Sequence, residues 1–331
     1  MKKAGTITAT LGAVALALTG CAGESTPDTS PNGGSDELRV LKMISFPITD
    51  FAPIWVAMDE GFFEEQGFLV EFGDNSSQSS ADAASLLVSG EFQLGLSNIW
   101  NVAVAQSQGI ELQVVSGNTV LGGPDDNSLQ MVTKTDGPGS LAELGSDLVL
   151  GATGTPTQVY TMNAIDEAGG DSSGITFQTV PYPNAAELIL NDSIVAHTMI
   201  EPFLTSALQN PELAAIGSVS AALPADSPSL SVVSSAEFAG ENPEIVDGVR
   251  AALEKAMDWI ADPANEETLL DLAAQYTGQD RDVLAGSGLP TFSTELTRAG
   301  VTEFLEMFQR YGQLDEVPDV DGLVAEGGYS S

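Results

Sequence analysis

The side chains that could do chemistry gather at the ends of apolar runs. Ser45, Phe46, Thr49 and Asp50 follow the first such run, and Ser97, Asn98 and Trp100 follow the third. Thr153, Thr155 and Thr157 lead into a helical stretch, and Tyr182 and Glu201 follow later runs. Hydroxyls, an amide, aromatic rings and carboxylates make hydrogen bonds, stacks and charge pairs. Such a set suits the holding of a small polar molecule. Several of these residues carry a second reading. Ser97-Asn98 and Gly154-Thr155-Pro156-Thr157 also suit helix caps, and a helix start with free N–H groups binds anions as well. Phe46 suits a core, as does Trp55 on the apolar face of the next helix; Trp100 stands between the two readings, and Tyr182, between two prolines, suits a rim. Glu201 follows a buried run, where a carboxylate needs a partner. That partner is an ammonium or ring N–H of a bound molecule; otherwise the carboxylate meets donors of the protein itself or stays in solvent.

Bond-making chemistry lacks its usual parts. The single histidine, His197, lies inside the apolar run 194–200 and reads as structural. The single cysteine, Cys21, lies near the N-terminus. Gly95-Leu96-Ser97-Asn98-Ile99 fails at the last position of a nucleophile elbow, and no His-Glu-x-x-His pair exists. Asp319-Val320-Asp321-Gly322 lacks the remaining ligands of a calcium loop and reads as a surface turn. No cofactor, no metal and no enzymatic activity are expected.

The elements that must position these residues follow from periodicity. Strands are expected over 38–44, 68–72, 92–96 and 111–116, alternating with helices that hold Ile54, Trp55 and Met58, then 81–88, then 99–106. Asp50 is placed as the cap of the first helix. The alternation argues for a parallel sheet with helices on its faces. Leu121 to Asn127 breaks the pattern as a crossing. Strands 129–134, 148–151, 175–180 and 194–200 follow, with helices from about 158–168, 184–190 and 203–208 between and after them. Runs 213–219 and 230–234 carry the chain back, and amphipathic helices fill 243–260, 266–276 and 295–310. Hinges are expected near Asn118–Gly123 and Gly217–Ser231.

The N-terminus gives an address. Met1-Lys2-Lys3, the apolar run 11–18 and small residues before Cys21 read as an export signal over 1–20. Leu18-Thr19-Gly20-Cys21 resembles the bacterial lipobox, which implies lipidation of Cys21 and an extracytoplasmic body on a cell-membrane anchor. Residues 21–36 are polar and aperiodic, as in a disordered tether. A hydrophobic content of 43% supports a packed core beyond it. The formal charge is −37, or −39 once Lys2 and Lys3 leave with the signal. Such a chain repels nucleic acid and anionic lipid. The acidic residues are scattered, as on a solvated surface.

Five stretches in order carry a family resemblance. Pro53-Ile54-Trp55-Val56-Ala57-Met58-Asp59-Glu60-Gly61-Phe62-Phe63, Gly67-Phe68-Leu69-Val70-Glu71 and Leu87-Val88-Ser89-Gly90-Glu91-Phe92-Gln93-Leu94-Gly95 come first, with Gln93 where an Asp is usual. Ile200-Glu201-Pro202 and Glu237-Phe238-Ala239-Gly240-Glu241-Asn242-Pro243-Glu244 follow. Together they resemble the periplasmic substrate-binding proteins of ABC importers, in the group that takes nitrate, alkanesulfonates, taurine and thiamine-pyrimidine precursors. The resemblance implies an α/β, two-lobed (type II) periplasmic-binding-protein fold with the ligand cleft between lobes. Lobe 1 is then 37–120 with 226–331, and lobe 2 is 121–225. It implies a monomer that captures a small molecule and delivers it to a permease with its ATPase. No Arg or Lys falls in the candidate loops, so a zwitterion such as taurine or a pyrimidine-like ring, facing Glu201, fits better than a bare anion. A pyrimidine-synthesis enzyme of the same fold and a transporter-independent ligand sensor are the alternatives.

Overall fold

The computed structural model describes residues 38–73 and 80–330. The expected signal 1–20, Cys21, the tether 21–36 and loop residues 76–79 lie outside them. Among the described residues no helix is long and apolar enough to cross a membrane.

The first part of the chain alternates as expected. Strand β1 (Arg39–Met43) is followed by a 3-10 turn (Thr49–Phe51), α1 (Ala52–Asp59), α2 (Phe62–Glu65) and β2 (Phe68–Phe72). Then come α3 (Ser80–Val88), β3 (Gly95–Ser97), α4 (Ile99–Ser107), β4 (Leu112–Gly117) and β5 (Thr119–Leu121). Leu41 and Met43 turn inward from β1 while Val40 and Lys42 face solvent, the period of two that made this strand legible. β1 pairs in parallel with β2, Leu41 opposite Val70. Gly61, at φ 75°, supplies the left-handed residue that lets α1 stop and α2 begin.

The middle of the chain builds a sheet of its own. It contains β6 (Gln130–Lys134), β7 (Val149–Ala152), α5 (Thr155–Glu167), β8 (Thr176–Thr179), α6 (Tyr182–Leu190), β9 (Ala196–Met199), α7 (Phe203–Leu208) and β10 (Leu213–Ser218). The strand order is β10-β6-β9-β7-β8. β7 runs parallel to β8 and β9, whereas β6 is antiparallel to both of its neighbours.

The chain then returns through β11 (Ser227–Pro228) and β12 (Ser231–Ser235). Helices α8 (Ala236–Glu241), α9 (Pro243–Ala261), α10 (Glu266–Thr277) and α11 (Arg281–Ala285), strand β13 (Thr291–Phe292) and α12 (Arg298–Arg310) complete it.

Three expectations are corrected. The first part does not form an all-parallel sheet: β12 enters between β3 and β4 and is antiparallel to both. All five residues of β12 are buried, so the strand brings its own apolar centre, Val232 and Val233, to an otherwise open gap. The third strand starts at Gly95, not at residue 92. Before it, the Gln93 side chain accepts from the Lys42 amide at 2.8 Å and donates to the Gly90 carbonyl at 2.7 Å. Asp50 does not cap α1: it lies within the 3-10 turn, and the residue preceding α1 is Phe51.

Two large apolar clusters fix these elements. One gathers Phe51, Trp55, Phe63 and Phe68 against Val249, Leu253 and Leu272 of α9 and α10. The other gathers Ile99 and Val102 of α4, Tyr160 and Ile165 of α5, and Phe304 and Phe308 of α12. The outgoing and returning chain segments pass very close. A Cβ on Gly122, at φ 105°, would sit 1.9 Å from the Pro224 carbonyl oxygen, so only glycine fits there.

Candidate functional site

Asp50 is the most unusual group in the fold. The turn Thr49–Phe51 is pinned by Phe51 in the core, which drags the carboxyl inward until it is only 8% exposed. No ion pair among the described residues involves it. Burial pushes its pKa up to about 6, and the Thr119 hydroxyl, donating to Oδ1 at 3.2 Å, opposes that shift. The Asn118 side-chain N–H donates to the Asp50 backbone carbonyl at 2.9 Å. The Thr119 hydroxyl in turn accepts from the Leu230 amide at 3.1 Å. So β5 and the return into β12 both hold this turn.

Polar atoms without partners collect around it. Thr49 Oγ1, Asn118 Oδ1 and Ser231 Oγ are buried and have no hydrogen-bond partner. Buried polar groups are almost always paired, with protein or with something bound. Ser231 lies opposite Ser97 in the β12–β3 register and opposite Gly117 in the β12–β4 register, so Ser97 joins the group. Its hydroxyl accepts from the Asn101 amide group at 3.3 Å.

Asn98 links this group to the inserted region 130–218. Its oxygen accepts from the Trp100 amide at 2.8 Å and caps α4. Its nitrogen donates to the Tyr160 hydroxyl at 2.7 Å and to the Ser229 carbonyl at 2.8 Å. Next to Tyr160 on α5, Thr157 shares a 2.8 Å hydrogen bond with Thr153. Both hydroxyls stand beside the phenol of Tyr182. Burial raises the Tyr182 pKa; those hydroxyls oppose the shift and the Asp50 carboxylate adds to it. Tyr182 therefore lies within electrostatic reach of Asp50, although one belongs to α6 and the other to the first turn. The Tyr182 ring stacks on Phe203 at 5.6 Å and meets His197 edge-on at 5.8 Å.

The structure thus brings Thr49, Asp50, Ser97, Asn98, Thr153, Thr157 and Tyr182 around one seam. Ser45 and Phe46 line an adjoining hollow of about 280 Å³ with Pro47, Trp55, Phe72 and Tyr276. Trp100 turns away: its ring stacks on Phe308 at 5.4 Å and its Nε1 donates to the Gln313 carbonyl at 3.2 Å. Thr155 is half-buried at the first turn of α5. The carboxylate of Glu201 is already engaged, one oxygen accepting from the Thr205 amide at 3.1 Å and the other from its hydroxyl at 3.0 Å. Of the two readings left open for Glu201, protein donors are what the structure provides.

The sequence of residues 48–266 matches the family described as NMT1/THI5 like. The chain belongs to the NMT1/THI5-like family. None of the curated proteins matches it significantly in sequence. Solved structures resemble this NMT1/THI5-like protein at low identity. The ligand binding component of an ABC-type import system from Staphylococcus aureus, with zinc bound, has a TM-score of 0.73 at 14% identity, covering 88% of this chain and 98% of that one. The periplasmic aliphatic sulphonate binding protein of Escherichia coli has a TM-score of 0.68 at 14% identity, covering 86% and 92%. The periplasmic nitrate-binding protein of Synechocystis PCC 6803 has a TM-score of 0.68 at 14% identity, covering 86% and 84%. The α/β, two-lobed periplasmic-binding-protein fold of this NMT1/THI5-like chain is thereby shown.

Sequence reasoning missed Tyr160, Asn118, Thr119 and Ser231. Tyr160 follows Thr157 by one helical turn on the same face of α5, which is the signal that could have found it. Asn118, Thr119 and Ser231 lie inside the segments expected to be hinges and carry no local mark of a site.

Proposed function

We propose that this protein is an extracytoplasmic solute-binding protein that captures a small organic molecule bearing an amine or an N–H-rich ring and delivers it to an ABC importer. The observation that carries this reading is Asp50: a buried carboxylate with no ion pair among the described residues, next to Thr49 and hydrogen-bonded to Asn118, both of which carry an unpartnered buried oxygen. A bound ammonium or ring N–H supplies the missing charge or donor, and in a closed cleft that contact is strengthened by the low local dielectric. A bare anion such as nitrate is repelled by the same group. The amine-bearing end is therefore assigned to Asp50 and no longer to Glu201, each of whose oxygens already accepts one hydrogen bond from Thr205. Thr49, Ser97, Thr153, Thr157 and Tyr182 complete the cage, and Ser45 and Phe46 bound its apolar side.

In this reading residues 37–120 and 226–331 form one lobe and 121–225 the other. Closure turns on the crossings near 118–123 and 217–231. Lipidated Cys21 and the tether 21–36 hold a monomer at the membrane close to its permease and ATPase. Taurine-like and aminopyrimidine compounds, including thiamine precursors, fit the chemistry. The fold relatives that are named as ABC-import components, and the seam's stock of hydroxyl, amide and phenol groups, favour capture over catalysis.

The test is thermal-shift and calorimetric titration of the protein with taurine, alkanesulfonates, aminopyrimidines and nitrate. An amine-bearing compound raises the melting temperature by mass action, and Asp50→Asn weakens it at least tenfold. Turnover of the captured compound, or nitrate binding indifferent to Asp50→Asn, refutes the reading.

A further inference from the structure

Tyr160 is 5% exposed, and its hydroxyl accepts from Asn98 at 2.7 Å. That contact uses the phenol oxygen. The phenol proton has no acceptor among the hydrogen bonds of the described residues. It cannot turn back to Asn98, whose oxygen caps α4 and whose two N–H groups point at Tyr160 and Ser229. Nor can it be lost: burial drives the Tyr160 pKa above its ordinary value, with Tyr182 adding to the shift. The hydroxyl is thus a fixed donor. Its position is set by the ring, which packs on Phe304 at 5.9 Å and edge-on to Phe308 at 6.0 Å. Asn98 joins Tyr160 to the Ser229 carbonyl, the Ser229 amide donates to the Thr119 carbonyl at 2.9 Å, and the Thr119 hydroxyl donates to Asp50 at 3.2 Å, so donor and carboxylate are tied into one hydrogen-bonded cluster.

Resting on the solute-binding reading, we propose that Tyr160 donates to an acceptor group of the bound molecule while Asp50 accepts from its amine or ring N–H, so that the ligand class is amphoteric. The molecule has two unlike ends: a cationic or N–H end at Asp50 and Asn118 Oδ1, and a sulfonate, carboxylate or ring-nitrogen end at Tyr160. Water in place of the acceptor end is the competing occupant. A compound that has only one end leaves a buried donor or a buried carboxylate unanswered, and binding discriminates strongly against that.

The experiment titrates the full chain with three sets of probes: taurine and 4-aminopyrimidine with both ends, ethylamine with the donor end alone, and ethanesulfonate and nitrate with the acceptor end alone. Tyr160→Phe and Asp50→Asn are titrated alongside. Tyr160→Phe keeps the ring against Phe304 and Phe308, so it folds. The expected result is a two-ended probe binding at least tenfold more tightly than either one-ended set. In Tyr160→Phe that preference over ethylamine shrinks to within about threefold, and in Asp50→Asn the preference over ethanesulfonate shrinks likewise. A purely structural Tyr160 lowers the melting temperature and leaves the preference intact, which overturns the proposal. A one-ended probe binding as tightly as the two-ended ones overturns it too, while leaving solute capture standing. No binding by any probe refutes both readings.

Discussion

The Thr119 hydroxyl donates to the Asp50 carboxylate at 3.2 Å, and it is the one side-chain hydrogen bond that Asp50 receives among the described residues. A single neutral donor does not replace the hydration of a carboxylate, which is why the pKa rises to about 6. The folded state therefore holds its proton more tightly than the unfolded chain. Between roughly pH 4 and pH 6 this group's contribution to stability falls as pH rises, by about 3 kcal/mol at about 1.4 kcal/mol for each pH unit. Asp50→Asn should melt above the unmodified protein at pH 7.5 in the absence of any ligand, and the difference should close by pH 4. Melting curves across that range check it. A difference independent of pH removes the strain assigned to Asp50.

Affinity for a cationic ligand should move the opposite way. Deprotonated Asp50 is the binding form, so affinity rises through pH 6 and levels off above about pH 7. Titration calorimetry from pH 5 to pH 8 reads this directly, and the dependence should vanish in Asp50→Asn.

Glu201→Gln should be nearly silent in binding. The side chain serves Thr205, and losing one charged hydrogen bond at the start of α7 costs about 1 kcal/mol of stability. Affinity should stay within about twofold. A loss of tenfold or more returns Glu201 to the ligand.

Phe308→Ala tests the cluster behind the site. Phe308 is fully buried, stacked on Trp100 at 5.4 Å and set edge-on to Tyr160 at 6.0 Å. Emptying it should cost about 3–5 kcal/mol, read as a lower urea midpoint. A loss under 1 kcal/mol means that the gap collapses without harm.

Gly122→Ala meets the Pro224 carbonyl oxygen and an unfavourable backbone at once. The loss should reach about 2 kcal/mol or more. An unchanged melting temperature shows that the crossing segments part easily.

Local order was largely legible in the sequence. Phe68–Phe72 is a strand with the expected ends, and Asn98 caps α4 while also reaching Tyr160, so cap and bridge hold together. What failed was long-range. β12 pairs with strands more than 100 residues away, which no local period records. Asp50 has the composition of a helix cap, yet Phe51 beside it anchors the turn in the core and buries the carboxylate with it. Tyr160 had only its spacing from Thr157 to mark it, because α5 buries Thr157, Thr161 and Asn163 along with Val159 and Ile165, and polar and apolar positions do not separate cleanly. Glu201 reads in the sequence as a carboxylate in need of a partner, and the local donor, Thr205 four residues on, gives one hydrogen bond to each of its oxygens.

The late arrival of β12 also governs how the chain is made. A ribosome releasing this protein from its N-terminus exposes β3 and β4 long before residue 235 emerges, and until then each has a bare edge with no strand to take it. Separated pairing of this kind is slow, and unfinished edges invite association with other chains. Keeping the chain unfolded until residue 235 has emerged, under the care of holding factors, is thus the safer order of events for such a weave.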